Sequence, residues 1–227
     1  MKNYTSLIDY SHLPLTEKLR VGLLPSTGMQ IAKNFRDEKI VDVKKHDKDK
    51  LLKFVDGIPN YFLREEVYLK LIAAAKVFSE NGITILIHEM YRSLKKQTME
   101  FNQIKSHIHK KYPSLNKKEI WQKTTEFIAD PKMLPPHCTG AAIDLELIDS
   151  KGPLAMGTPI NAIDEKANIL ATGLTKQERQ NRNLLMSIMM GQGFAPLSSE
   201  WWHFSYGDRN WAAFYNSQII YNIIDLD

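Results

Sequence analysis

Glu200 and His203 stand three apart in the run Ser198-Ser199-Glu200-Trp201-Trp202-His203-Phe204, a carboxylate and an imidazole set in aromatic surface. A strand that only packs its indoles into a core would account for the rings. A metal site would account for the polar pair too, because neutral imidazole ligates zinc and a carboxylate beside the metal can act as a base. Upstream, His137 and Asp144 lie seven positions apart with Gly140 between them. That spacing lets a loop histidine and the strand aspartate it feeds meet at one point. With His203 as the third member, two imidazoles and one carboxylate leave a coordination position open, the pattern of a catalytic zinc site. Such a set holds less positive charge than three imidazoles would, yet leaves the metal acidic enough to polarise water.

Glu200 fits a base that does not itself occupy the metal, with one geometric difficulty. In a regular strand residues 200 and 203 point to opposite faces. The expectation is that Glu200 sits just before the strand, after a turn over Pro196–Ser199; a bulge that re-aims it is the alternative. Arg92 leaves the end of an apolar run, where a rigidly held guanidinium could stabilise a developing oxyanion. The plain alternative for Arg92 is a surface cation paired with an acid. Trp201 shares strand parity with His203, so of the two adjacent indoles it is the one expected to face the metal side. Trp202 and Trp211 read as packing.

These residues need elements to hold them. Ile83–Ile87 reads as a buried strand running into His88 and Arg92, with His88 a hydrogen-bonded core or rim histidine. Gly140–Ile148 alternates, Ile143, Leu145 and Leu147 on one face and Asp144 and Glu146 on the other, the signature of a half-buried strand. Helix formers run from Tyr61 to Glu80, with Leu63, Val67, Leu71 and Ala74 at helical spacing and Asn81-Gly82 as the stop. Asn116-x-x-Glu119 and Thr175-x-x-Glu178 read as capping boxes that open helices through Phe127 and about Met190. A further helix, with Phe101, Ile104 and Ile108 on one face, occupies the stretch from residue 95. The prolines at 131, 135 and 136 imply an extended approach to His137. Residues 150–174 read as loop, and the basic run Lys105–Lys118 as a solvated helix pair. KKHDKDK at 44–50 reads as a solvated turn or helix end within a poorly assigned N-terminal part, residues 1–60. Cys138 reads as a small packing thiol. His107 and His109, two apart on a helix, do not converge on a metal.

The totals bound the rest. The chain has 227 residues, 43% hydrophobic and 25% charged, with a net charge of +4. These are globular values that argue for neither disorder nor nucleic-acid binding. A single cysteine excludes an intrachain disulfide. No apolar run reaches the roughly 18 residues of a membrane span, and MKNYTSLIDYSHLPL lacks the apolar core of a secretory leader. The expectations are a cytoplasmic protein with no nucleic-acid or membrane partner, folded as one α+β domain over residues 1–227. Its antiparallel sheet would be flanked by helices and would carry the zinc site.

Two segments, PPHCTGAAIDL and RQNRNLLMSIMMGQGFAPLSSEWWHF, resemble the signature regions of D-alanyl-D-alanine dipeptidases of the VanX type, whose pattern is roughly SxHxxGxAxD followed by ExWH. FLREEV at 62–67, the Tyr91-Arg92 step and Met156-Gly157-Thr158 extend the likeness in pieces over about residues 60–206. The resemblance implies a compact α+β fold related to bacterial cell-wall carboxypeptidases and hedgehog-type domains. It also implies Zn2+ held by His137, Asp144 and His203, Glu200 as general base, Arg92 at the oxyanion, and a small dipeptide, D-Ala-D-Ala, as substrate. Three positions depart from the pattern. Pro135 replaces a Ser, Glu89 replaces an Asp, and Ile160-Asn161 stands where relatives carry Phe-Asp. With Glu89, Asn161 and Trp201 as the candidate substrate-facing residues, these departures bear on specificity and leave the hydrolytic set whole. The rival readings are a D,D-carboxypeptidase or endopeptidase on cell-wall peptides, and a noncatalytic zinc domain that binds a partner.

Overall fold

The computed structural model describes residues 35–58 and 60–226; expectations for the first 34 residues lie outside them. Strand β1 (Ile40–Asp42) leads into a single helical turn, α1 (Val43–His46), and then β2 (Leu52–Phe54). Asp42 caps α1 by accepting from Lys45 N, and Lys44–His46 and Lys48–Lys50 are exposed, so the KKHDKDK tract is a solvated helix end and turn.

The expected helix from Tyr61 is shorter by its first residues. Phe62–Arg64 form β3, paired antiparallel with β1, and helix α2 runs Glu65–Ser79. Arg64 has extended backbone (φ −63°, ψ 145°), so tertiary pairing overrides the helix-forming composition there. Val67, Leu71, Ala74 and Phe78 form the buried stripe of α2. The chain then turns at Gly82 (φ +70°) into β4 (Thr84–Glu89).

Two helices follow, α3 (Leu94–Lys111), capped by Ser93, and α4 (Lys117–Thr125), opened by the Asn116/Glu119 capping box. His107 and His109 are exposed on α3. His137 does not arrive on an extended segment: Pro136–Thr139 form a 3-10 turn, with Pro136 at its start and Gly140 (φ +69°) ending it. Proline's fixed φ suits the first position of a helical turn as well as an extended chain, which is how the expectation failed.

β5 (Ala142–Asp149) folds back through the two-residue β6 (Gly152–Pro153), and α5 (Lys176–Gly191) opens on the Thr175/Glu178 capping box. β7 (Ala195–Leu197), β8 (Glu200–Ser205) and α6 (Arg209–Tyr215) complete the order. The main sheet runs β2-β4-β5-β8-β7, with β6 beside β5. It is mixed, not antiparallel throughout: β2 lies parallel to β4. The chain between them passes through β3 and α2, a crossover long enough to bring β4 back in the same direction.

Ile85 and Ile87 of β4, Ile143, Leu145 and Leu147 of β5, and Trp202 and Phe204 of β8 join the α2 and α5 stripes in one hydrophobic core. The result is an α+β domain whose opposite sheet face carries Asp144, Glu146 and His203. Among the described residues no helix is long and apolar enough to cross a membrane.

Candidate metal centre and cleft

Strand pairing sets two corners of the centre. Asp144 and His203 are direct cross-strand partners on β5 and β8, so their side chains leave the sheet on the same face. Their flanking residues, Ile143, Leu145, Trp202 and Phe204, are at most 2% exposed and point into the core. Asp144 Oδ1 lies 2.9 Å from His203 Nδ1.

The 3-10 turn supplies the third corner. His137 Nε2 is 3.2 Å from His203 Nδ1 and 3.4 Å from Asp144 Oδ1. His137 Nδ1 is 2.7 Å from Met90 O, an atom that can only accept, so Nδ1 carries the proton. In the neutral ring Nε2 therefore presents a lone pair to the other two. Arg92 N donates back to His137 O at 3.2 Å, pinning the turn to the exit of β4 at both ring and backbone.

These three atoms form a triangle with edges of 2.9, 3.2 and 3.4 Å. Tetrahedral zinc with ligands about 2.0–2.1 Å away has ligand–ligand edges of roughly 3.3 Å. The donor set therefore fits a divalent metal in size, chemistry and convergence. His137, Asp144 and His203 are also the one group of this kind among the described residues that could hold a metal ion.

The charges fit as well. Burial works against the Asp144 carboxylate, but the fields and hydrogen bonds of His137 and His203 hold it well below the usual range. Burial pushes His137 down and Asp144 more than offsets it, so the ring's affinity for a proton is raised. A cation in the triangle would take the place of that proton.

Glu200 begins β8 instead of preceding it, and the β7–β8 register breaks: Pro196 pairs with Phe204 and Leu197 with Glu200. The alternative of an irregular strand is thus the one observed. Burial raises the Glu200 pKa, with His203 lowering it, Asp144 raising it, and His137 and Arg92 lowering it again. Those four groups place its carboxyl within the field of the triangle.

Arg92 pairs with acids and is largely buried, its side chain 14% exposed. Its Nε donates to Glu89 Oε1 at 3.1 Å and its Nη2 to Glu89 Oε2; its Nη1 donates to Gln97 Oε1 at 2.9 Å and reaches Glu100 Oε2 at 3.2 Å. A guanidinium has five N–H groups. Three are hydrogen-bonded to Glu89 and Gln97, Glu100 lies within ion-pair distance of Nη1, and one N–H on Nη2 has no partner among the described residues. Burial opposes the charge, but Glu89 and Glu100 raise the Arg92 pKa overall. Glu89 is disfavoured by burial and lowered overall by Arg92 and His137. Glu89 also binds Lys96 at 3.0 Å, so the Asp-to-Glu departure serves this clamp.

The β4–β5 register slips between Ile87 and Glu89, Glu89 pairing with Asp144. A bulge of this kind lets consecutive residues reach one face. His88 does so too, its Nε2 2.7 Å from Glu146 Oε1 on the strand face two residues beyond Asp144. The sequence did signal a bonded His88 but gave no hint of this partner.

A second clamp, which sequence reading missed, is built around Arg182. Arg182 is 4% exposed and donates to three carbonyls, Met156 at 2.6 Å, Asn168 at 2.7 Å and Lys166 at 2.7 Å. Its guanidinium lies 5.8 Å above the Trp201 ring, whose Nε1 donates to Thr158 Oγ1 at 2.9 Å. Gly157 between them has φ +92°, and a Cβ there would meet Leu174 at 2.5 Å. Trp201 is thus a buried wall bonded to the loop. Asn161 is exposed in left-handed backbone (φ +62°), a conformation Asn tolerates, so its visible role is that of a turn residue. Pro135 closes the turn before His137, its carbonyl accepting from Cys138 N. Cys138 is fully buried and burial pushes its thiol up to about 12, which makes it a packing residue.

An α+β fold bearing two histidines and an aspartate in metal-binding array, with a half-buried glutamate and a clamped arginine beside them, defines a metallopeptidase-like class. Within it, this chain belongs to the peptidase M15 family, described as D-ala-D-ala dipeptidase, whose model matches residues 43–224. It is 39% identical to the D-alanyl-D-alanine dipeptidase of Synechocystis sp. over 101 residues, 39% of this chain and 41% of that protein. It is 28% identical to the Escherichia coli K12 D-alanyl-D-alanine dipeptidase over 145 residues, 63% of this chain and 65% of the other. The matches thus span from under half to just under two thirds of these relatives. Among solved structures, VanYB in complex with D-alanine-D-alanine aligns with TM-score 0.49 at 13% identity, over 87% of this chain and 94% of that one.

Proposed function

We propose that this chain is a zinc-dependent dipeptidase that hydrolyses a small D,D-dipeptide, with D-Ala-D-Ala as the first candidate. The observation that carries the reading is the triangle of His137 Nε2, Asp144 Oδ1 and His203 Nδ1, with Glu200 and Arg92 in its field. The printed activity of the curated relatives supports the choice of substrate.

His137, Asp144 and His203 would hold the zinc. Bound there, the metal supplies Lewis acidity for the scissile carbonyl and for water. Glu200 takes a proton from the water that attacks the scissile carbon and returns it to the departing amine nitrogen. A carboxyl can serve both halves of that exchange, as base toward the water and as acid toward the leaving nitrogen. The remaining Nη2 N–H of Arg92 would donate to the oxygen that gains charge as the carbon becomes tetrahedral. Glu89, Gln97 and Glu100 hold that guanidinium in place before the substrate arrives, so little reorganisation accompanies the charge development. Trp201, which shares strand parity with His203, together with Thr158 and the Arg182-bound loop, would border the substrate.

The test is a panel of free dipeptides of varied stereochemistry, assayed on zinc-loaded protein, after chelation, and after zinc is restored. D-Ala-D-Ala turnover that disappears with the chelator and returns with zinc is expected. Zinc-loaded protein inert toward every D,D- and L,D-dipeptide would overturn the reading in favour of a binding domain.

A further inference from the structure

His203 meets the triangle through Nδ1, so the proton of its neutral ring sits on Nε2. That Nε2 is buried and has no partner among the described residues. A buried N–H without an acceptor is costly and leaves the ring free to settle in the wrong tautomer. Metal-binding histidines ordinarily give this second N–H to an oxygen.

Asp208 offers the matching deficit. It is fully buried and N-caps α6: Oδ1 accepts from Trp211 N at 2.9 Å and from Ser205 Oγ at 2.8 Å. Its Oδ2 is buried and unpartnered. Five buried side-chain atoms lack partners among the described residues: Ser198 Oγ, Trp202 Nε1, His203 Nε2, Asp208 Oδ2 and Arg209 Nε. Asp208 Oδ2 alone among them can only accept. Capping does not explain the carboxylate, since Ser or Asn caps a helix as well without burying a charge. Ser205, two residues beyond His203 on the same strand face, already reaches the carboxyl. His203 and Arg209 also act on Asp208 electrostatically, each opposing the effect of its burial.

We propose that Asp208 is a positioning residue for the metal centre: it holds His203 with the proton on Nε2 and the Nδ1 lone pair aimed at the metal. A single buried water between them would complete the link by accepting from His203 Nε2–H and Arg209 Nε–H and donating to Asp208 Oδ2. Three partners are what a buried water ordinarily has. The proposal rests on the metal-site reading but says nothing of the substrate.

The experiment compares the native chain with Asp208→Asn and Ser205→Ala. Asparagine keeps an oxygen for the α6 cap and turns an N–H toward the His203 side. Zinc affinity, measured by competition with a chelating dye, is expected to weaken by about 10- to 100-fold in Asp208→Asn. The cobalt-substituted absorption spectrum should change with it. Ser205→Ala, which loses only the bond to Oδ1, should stay within about threefold of native zinc affinity, well under the loss expected where a ligand's own partner is removed. Asp208→Asn with native affinity and an unchanged cobalt spectrum overturns the proposal. Should the variant fail to fold, nitrogen-15 NMR of the native zinc form decides. A downfield, slowly exchanging His203 Nε2 proton is expected, and an ordinary fast-exchanging one refutes the assignment. If the native chain takes up no zinc, it is the metal reading that has failed.

Discussion

Asp144 and His203 face each other because two strands pair in one register, whereas Thr158 and Met156 are held by Trp201 and Arg182, 43 and 26 residues further along the chain. The metal corner is therefore built mainly from backbone, with one histidine added on a turn. The loop at residues 156–168 is held by side chains, Arg182 reaching its carbonyls and Trp201 its Thr158 hydroxyl. Strand register can change only in whole-residue steps; a loop tied by three guanidinium bonds can shift by fractions of an ångström. On the proposed function, the centre suits chemistry that tolerates no error, and the loop a specificity that can drift without dismantling it.

That contrast can be tested at graded cost. The largest effect is expected at the chemistry: Glu200→Gln should lower kcat/KM by about 10²–10⁴-fold while zinc content, measured by elemental analysis, stays at the native level. Arg92→Lys should cost less, about 10²–10³-fold, and mostly in kcat, because a lysine cannot bind Glu89 through two nitrogens and still present a further N–H. Arg182→Lys addresses the loop. One ammonium nitrogen cannot reach all three carbonyls that separate guanidinium nitrogens now bind, and the change should raise KM by about tenfold, equivalent to roughly 1.4 kcal/mol, with zinc affinity unchanged. A loss of zinc in that variant would show that centre and loop are not separable.

The smallest effect is on stability. Burial raises the Glu200 pKa in the folded chain, so the folded state holds this proton more tightly than the unfolded one. Stability contributed here is present below the unfolded carboxylate pKa of about 4.3 and is lost as pH rises through the folded value. Metal-free Glu200→Gln should accordingly melt above metal-free parent at neutral pH, and the two curves should converge in acid.

The backbone-built corner is also what could be read in advance. Alternation at Ile143–Leu147 placed Asp144 on a polar face, and the capping boxes at Asn116 and Thr175 marked two helix starts correctly. What escaped depended on partners distant in sequence. Nothing in Arg182 distinguishes it from the neighbouring Arg179 until Met156, Lys166 and Asn168 surround it. Phe62–Arg64 looks helical until β1 offers a ladder, and His88 could not announce Glu146 across a bulge.

Behind the His137 turn the polypeptide's last stretch acts as a brace. Ile224 N donates to Cys138 O, and Arg64 ties Thr139 O to Asn222 O. A side chain at Gly140 would strike Ile224 at 2.8 Å. Clipping a handful of residues from that end, far from any catalytic group in sequence, would slacken the seat of one imidazole while every helix and the central ladder stayed intact. Such a molecule would look folded by circular dichroism and yet bind added zinc more weakly than the parent.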